Sequence, residues 1–317
     1  MKNFKLKLSI IIPAYNCAKT IENLMNSIRQ QELESYEIII VNDGSTDETP
    51  ELLAKASENW PQLKVLTQEN GGAPKARNAG LDCAEGEYIY LCDADDLLYP
   101  NGLNKLIAEA EKQDHDIVVG NLVSRSADGE EQIYTAVSKA QEKLGNDKYY
   151  FCDPIPGTKL FRRDFINNNN IRFDDVKIGQ DLNFFLKAVC ATEKIGYLND
   201  IIYVYQTSFS GISKTYKLKN LLDIKRSLNG VLSYCRTYGL DSKERMAILE
   251  CVKINNYLWQ LKKKKNVNKD DYQILRKELY QDIDIKKARS YKHYSSMLIS
   301  RIEYFFSLRL DIILRGI

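Results

Sequence analysis

The chain of 317 residues contains only two histidines, His115 and His293, and an odd number of cysteines, seven. No cysteines form a Cys-x-x-Cys pair and no histidine stands near one at ligand spacing, which argues against a zinc site or a disulfide framework. No uninterrupted apolar run approaches the roughly 18 residues that a spanning helix needs. The N-terminus passes from Met1 through Lys5 and Lys7 straight into a strand-like segment, without the apolar core and cleavage site of a signal peptide. These absences lead to the expectation of a cytoplasmic protein held in a reducing compartment. Two further absences bear on chemistry. No Gly-x-Gly-x-x-Gly follows the first apolar run and no Gly-x-x-x-x-Gly-Lys-Ser/Thr occurs, which disfavours dinucleotide oxidoreductases and P-loop NTPases.

What is present describes an ordinary globular chain, 44% hydrophobic and 28% charged, with 20 tyrosines as its one excess. The net charge of +2 conceals a division. Residues 1–215 carry 23 Lys and Arg against 32 Asp and Glu, a net −9, whereas residues 216–317 carry 22 against 11, a net +11. The asymmetry suggests an acidic domain over 1–215 joined to a basic region over 216–317. The basic part reads either as a surface attracted to anionic lipid or to a phosphate-bearing acceptor, or as a solvated Lys-rich helical face. No nucleic-acid partner is expected.

Leu8-Ser9-Ile10-Ile11-Ile12 is a short, nearly continuous β-branched run closed by Pro13, as a central parallel strand requires. Ile21, Leu24, Met25 and Ile28 then recur at helical spacing. Ile38–Val41, Lys64–Thr67, Tyr88–Cys92 and Asp116–Gly120 read as further strands, separated by helical stripes. Ser45 and Glu48 have the spacing of a capping box ahead of Leu52 and Leu53. Five alternations of strand and helix predict an α/β fold with a doubly wound, mainly parallel sheet and its functional loops along one edge. Gln132–Val137 and Lys159–Phe161 are expected as short strands, 143–153 as a loop or short helix, Asp181–Ala191 as a helix and Ile201–Tyr205 as a closing strand. Beyond about Thr215 the pattern is helical. The last segment, 297–317, places Ile299, Ile302, Phe306, Leu310, Ile313 and Ile317 on one stripe, read as a packed helix or as an interfacial anchor.

The strand ends supply the candidate site. Pro13-Ala14-Tyr15-Asn16, Asn42-Asp43-Gly44-Ser45, Asn70-Gly71-Gly72 with Arg77 beyond, and Asp93-Ala94-Asp95-Asp96 all fall on one edge of such a sheet. They offer an aromatic face, carboxylates, a guanidinium, glycines for close backbone approach and an acidic pair able to hold a hard divalent cation with phosphate oxygens. A nucleoside diphosphate with a divalent cation uses every one of these groups. The competing reading of Asp93–Asp96 is an acidic turn that caps the next helix.

The series Ile12-Pro13-Ala14-Tyr15-Asn16, Val41-Asn42-Asp43-Gly44-Ser45-Thr46-Asp47, Ala76-Arg77-Asn78-Ala79-Gly80, Asp93-Ala94-Asp95-Asp96 and, later, Lys159-Leu160-Phe161-Arg162-Arg163 with Gly179-Gln180-Asp181 resembles a family 2 glycosyltransferase of the GT-A fold. The likeness covers roughly residues 7–215. It implies a metal-dependent, inverting enzyme, with Mn2+ or Mg2+, that takes a hexose or N-acetylhexosamine from a UDP-sugar. Carried over position by position, Pro13, Tyr15, Asp43, Arg77, Asp93 and Ala94 bind the nucleotide. Tyr15 flanks the uracil, Asp43 accepts from the base, Arg77 lies near base or phosphate, and Asp93 contacts the ribose. Asp95 is the metal ligand, with Asp96 as second choice, and Asp181 is the base that takes the acceptor proton. Gln180 stands where the family has Glu, and Gln206 where many relatives have a basic residue, so that diphosphate charge is left to Lys214 or another cation.

For such an enzyme the net +11 of residues 216–317 suggests a lipid-linked saccharide acceptor, as in capsule or exopolysaccharide assembly, met at the inner face of the membrane where anionic acceptors sit. The C-terminal helices are also a candidate homodimer surface. Two rivals remain at this stage: a sugar nucleotidyltransferase, which calls for a Gly-rich basic loop after the first strand, and a nucleotide-sugar-binding assembly factor without catalysis.

Overall fold

A computed structural model describes residues 6–207, 218–261 and 268–294. The stripe expected over 297–317, the basic run 262–265 and Lys214 lie outside the described residues. The expected alternation opens the chain: β1 (Leu8–Ala14), α1 (Ile21–Arg29), β2 (Tyr36–Asp43), α2 (Thr49–Glu58), β3 (Leu63–Gln68), α3 (Ala73–Cys83) and β4 (Tyr88–Leu91). A two-residue β5 (Leu97–Leu98), α4 (Gly102–Lys112), β6 (Ile117–Arg125) and β7 (Glu131–Tyr134) follow. After α5 (Lys139–Glu142) come β8 (Lys159–Arg162), α6 (Arg163–Asn168), α7 (Gln180–Ala191) and β9 (Ile195–Gln206). The remaining helices are α8 (Leu218–Thr237), α9 (Lys243–Leu261), α10 (Lys269–Gln281) and α11 (Ile285–Arg289).

The strands form one sheet in the order β3-β2-β1-β4-β8-β6-β9-β5, with β7 paired to β6. β1 runs parallel to both β2 and β4, and β2 parallel to β3. Ile10, Ile11 and Ile12 are fully buried, because helices cover both faces of this parallel half and a β-branched run satisfies both. The second half is mixed: β8 is antiparallel to β4 and β6, and β9 is parallel to β6. Parallel pairing of β1 to β4 brings their C-terminal ends to one edge. The loops that follow them therefore share that edge.

The expected capping box at Ser45 and Glu48 does not form. Helix α2 starts at Thr49, with no side-chain cap from Glu48. The Ser45 hydroxyl instead accepts from the Asn16 N–H at 3.0 Å, and Asp47 accepts from the Thr49 N–H at 3.0 Å. The residues of that motif join two loops rather than cap a helix.

Contacts divide the chain into two compact units, 1–136 with 153–231 and 137–152 with 232–317. In the first unit the start of α8 docks on α7. Ser227 Oγ donates to the Gly179 carbonyl at 2.6 Å, Asn183 Nδ2 donates to the Ser227 carbonyl at 2.8 Å, and the Lys177 N–H donates to Asp223 at 3.1 Å. In the second unit a 3-10 helix over Gly145–Phe151 joins the helices. Tyr291 donates to Asp147 at 3.0 Å, Arg245 Nε donates to the Tyr150 hydroxyl at 3.3 Å, and Tyr149 and Tyr150 are buried. These aromatic anchors explain why 137–152 belongs with the helical unit. Inside that unit the buried Lys253 is matched by Glu250 at 3.0 Å and the Asp282 carbonyl at 2.6 Å, as a buried ammonium requires. Among the described residues no helix is long and apolar enough to cross a membrane.

Candidate active site

The loop after β1 turns through Asn16, which sits in the left-handed region at φ 49°. Asn tolerates this conformation better than most residues. Its side chain accepts from the Thr46 N–H at 2.8 Å, and Asp47 accepts from the Ala18 N–H at 3.2 Å. These bonds stitch the first loop to the second and leave Tyr15 standing outward, 52% exposed. Pro13, two residues earlier, is paired in register with Val41.

Asp43 ends β2 and is buried. Its Oδ1 accepts from the Gly71 N–H at 2.9 Å and from Gln68 Nε2 at 2.7 Å, and its Oδ2 accepts from the Gly72 N–H at 2.7 Å. Three of about four lone-pair sites are thus filled, and one remains for a ligand donor. Gly44 follows at φ +69°, where a Cβ would meet the Asn70 nitrogen at 2.8 Å. Only glycine lets the second and third loops approach so closely.

Arg77 projects from α3 and is buried. Its Nη1 donates to Asp181 at 3.0 Å and its Nη2 to Asp93 at 2.5 Å, while its guanidinium carbon lies 5.1 Å from the Phe173 ring centroid. Phe173 in turn stacks on Phe184 of α7 at 4.2 Å. The fork thus joins the acid after β4 to the acid that opens α7. Gly179 caps α7 in the left-handed region at φ 82°, which places Asp181 in its first turn and not at the cap. Burial pushes the Asp181 carboxyl up to about 6; Arg77 pulls it down and Asp93 pushes it further up. Its side chain keeps 30% exposure, so the carboxylate is reachable.

The acidic loop divides its labour. Asp96 is buried: its Oδ2 accepts from the Tyr203 hydroxyl at 2.7 Å and its Oδ1 from the Gln206 N–H at 2.7 Å. Burial first, then the Asp93 charge, raises its carboxyl to about 8. The same Tyr203 oxygen accepts from the Asp93 N–H at 3.2 Å. Asp95 stands exposed at the tip, its carboxyl raised by desolvation and by Asp93. Ala94 between them is buried. The loop caps no helix, since α4 is capped at Asn101. Asp96→Ala removes an acceptor from two donors that burial keeps from water, and is expected to cost about 2–3 kcal/mol, read as a lowered thermal midpoint.

One edge therefore brings together Tyr15, Asp43, Arg77, Asp93 and Asp95, with Asp181 tied to them through Arg77. Sequence reasoning missed Tyr203, Gln68 and Phe173, each of which holds a site residue in place. Tyr203 was legible only as part of the closing strand, and Gln68 and Phe173 carried no spacing signal. No group of three or more His, Cys, Asp or Glu among the described residues could by itself hold a metal ion.

Residues 9–169 match the model for Glycosyl transferase family 2. The chain belongs to that family. This family 2 transferase is 30% identical over 253 residues to the glycosyltransferase GlyG of Streptococcus pneumoniae, covering 74% of this chain and 82% of that protein. It is also 30% identical over 211 residues to the poly(ribitol-phosphate) β-N-acetylglucosaminyltransferase TarS of Staphylococcus aureus, covering 65% of this chain and 36% of TarS. Residues 1–349 of TarS, solved in complex with UDP-GlcNAc, superpose with a TM-score of 0.74 at 21% identity, covering 95% of this chain and 89% of that one. The family 2 transferase thus has the GT-A fold, followed by a helical region.

Proposed function

We propose that this glycosyltransferase moves a hexose or N-acetylhexosamine from a UDP-sugar to a hydroxyl of a saccharide acceptor, with inversion, in the assembly of a cell-surface glycan. The observation that carries the reading is the fork of Arg77, which joins the acid after β4 to the acid that opens α7. In this reading the exposed Asp95 serves the leaving diphosphate, and Asp181, tied to the acidic loop through Arg77 and Asp93, serves the attacking hydroxyl.

In this reading Tyr15 flanks the uracil and Asp43 accepts from the base with its remaining lone pair. Asp93 takes the ribose side, with Pro13 and Ala94 as backbone neighbours. A divalent cation would fit at Asp95, whose carboxyl is held up by desolvation and then by the like charge of Asp93, a strain that a cation relieves. Asp96 is the poorer ligand, because it is buried and faces inward onto Tyr203 and the Gln206 N–H, whereas Asp95 is exposed. Mn2+ or Mg2+ held at Asp95 would supply Lewis-acid stabilisation of the leaving diphosphate. Asp181 removes the proton from the acceptor hydroxyl as its oxygen attacks the anomeric carbon; the bond from that carbon to the diphosphate oxygen breaks, and UDP leaves. TarS, named for poly(ribitol-phosphate) N-acetylglucosaminylation, supports a cell-surface acceptor. A lipid-linked acceptor and docking of the basic residues 216–317 on an anionic membrane are part of the same proposal, as is a domain boundary near 215.

Purified protein incubated with UDP-glucose, UDP-galactose and their N-acetyl forms, with and without Mn2+, is expected to release UDP from one donor in a metal-dependent way. Asp95→Asn is expected to lower that release by about 10²-fold, as loss of electrostatic stabilisation at the leaving group does. Formation of a UDP-sugar from sugar 1-phosphate and UTP would favour a nucleotidyltransferase instead.

A further inference from the structure

Two side chains with no role so far, Tyr205 and Asp153, lie within electrostatic reach of the site: the acidic loop and Asp153 act on Tyr205, and Asp153 acts on Asp181. Tyr205, near the end of β9, is 36% exposed. Alternation along a strand puts it on the same face as Tyr203, whose ring lies so close to Gly157 that a Cβ there would meet it at 2.2 Å. Gln206 binds the acidic loop twice, through its N–H to Asp96 at 2.7 Å and through Nε2 to the Asp95 carbonyl at 3.0 Å. The neighbours of Tyr205 are thereby held on both sides, Gln206 by the acidic loop and Tyr203 against Gly157 of the turn 153–158.

That turn is unusually well held. Lys159 is fully buried, and its ammonium donates to the Asp153 carbonyl at 2.6 Å, the Ile155 carbonyl at 2.8 Å and Thr158 Oγ1 at 2.8 Å. It also lies 4.6 Å from the ring centroid of Phe185, one turn beyond Asp181 on α7. The Tyr90 hydroxyl donates to the Gly157 carbonyl at 2.5 Å. Asp153 itself is exposed, its Oδ1 accepting from the Ile155 N–H at 3.0 Å. The Asp153 charge is felt by Tyr205 and by Asp181 alike, and Tyr205 also feels Asp93, Asp95 and Asp96. The turn thus presents one carboxylate, on a backbone that a buried cation immobilises, beside an exposed aromatic face.

We propose that Tyr205 and Asp153 form a pyranose subsite between the diphosphate end and the base: the Tyr205 ring packs on a sugar face and Asp153 accepts from sugar hydroxyls. An aromatic surface with a few fixed polar groups is the usual make-up of a ligand site, and a preorganised backbone lowers the cost of binding. The inference rests on the proposed transfer from a UDP-sugar. It adds which residues grip the ring, of donor or of acceptor.

The test compares Tyr205→Ala, Tyr205→Phe and Asp153→Asn with the wild type. Affinity for UDP reads the nucleotide alone, and affinity for the UDP-sugar that the wild type hydrolyses reads nucleotide plus ring. KM for methyl pyranosides, followed by UDP release, reads the acceptor. Tyr205→Ala and Asp153→Asn are each expected to weaken UDP-sugar binding or raise the acceptor KM by about three- to tenfold, with UDP affinity unchanged and Tyr205→Phe close to wild type. A shift in the first constant assigns the donor ring, and a shift in the second assigns the acceptor ring. No shift in either, or an equal loss of UDP affinity, overturns the subsite while the transfer reading stands. A wild type that binds none of the UDP-sugars overturns the transfer reading and the subsite with it.

Discussion

Asp181→Asn is expected to lower the rate of transfer by about 10³-fold, within the range that a positioned general base contributes, while UDP binds as to the wild type. The substitution keeps the shape of the side chain and an oxygen for Arg77 Nη1, which donates to Asp181 at 3.0 Å. What it removes is the ability to take a proton. The pH dependence carries the same signature. Burial holds the Asp181 carboxyl up at about 6, above its ordinary value, so it keeps its proton to a higher pH than a solvated aspartate. Turnover of the wild type should therefore rise through pH about 6 and level off above it, and the residual activity of Asp181→Asn should lack that limb. A steady-state profile from pH 5 to 8 checks both statements. A variant that keeps more than a tenth of wild-type turnover would remove Asp181 from the role of base.

Arg77→Met carries the second large effect, and it falls on stability as well as rate. The guanidinium is buried and forks between Asp93 and Asp181. Removing it leaves two acids facing each other without a counter-charge. Breaking a fully buried pair costs about 3–5 kcal/mol. Here the two carboxylates keep 33% and 30% exposure and recover some hydration, so about 2–3 kcal/mol is the expected loss, a fall in thermal midpoint of roughly 5–10 °C. Arg77 also lowers the Asp181 carboxyl. Without it the acidic limb of activity should move to higher pH. Arg77→Lys should recover part of the stability but not the rate, because a single ammonium cannot hold both acids in a fixed geometry. Thermal unfolding and the pH profile measured together separate a structural loss from displacement of the base.

The parallel half of the sheet was legible because burial on both faces demands continuous apolar runs, and Ile10–Ile12, Ile38–Val41 and Tyr88–Leu91 are such runs. The strand-end loops followed from topology alone. The second half was less legible: Ile195 to Asp200 of β9 alternates too poorly to read as strand, and its pairing with β6 shifts register near Asn121. The membership of 137–152 in the helical unit depends on Tyr150 and Asp147 meeting Arg245 and Tyr291, contacts across roughly a hundred residues or more that no local pattern encodes. Within the site, residue type at the strand ends pointed to Asp43 and Asp95, and the family resemblance pointed to Asp181. The same letters could not show that Asp96 faces inward onto Tyr203, since its neighbour Asp95 has identical chemistry and opposite exposure. Nor could the position of Arg77 after the glycine loop show its fork between two acids. Helical spacing marked that helix by its alanines, and a buried arginine interrupts the expected stripe.

The position of the donor relative to Asp95 and Asp181 decides the mechanism. A crystal structure of the protein with Mn2+ and the UDP-sugar it accepts is predicted to show the cation against the Asp95 carboxylate and the diphosphate, with the Asp181 carboxylate on the opposite side of the anomeric carbon. A cation held elsewhere, or Asp181 on the same side of the sugar as the diphosphate, would contradict it.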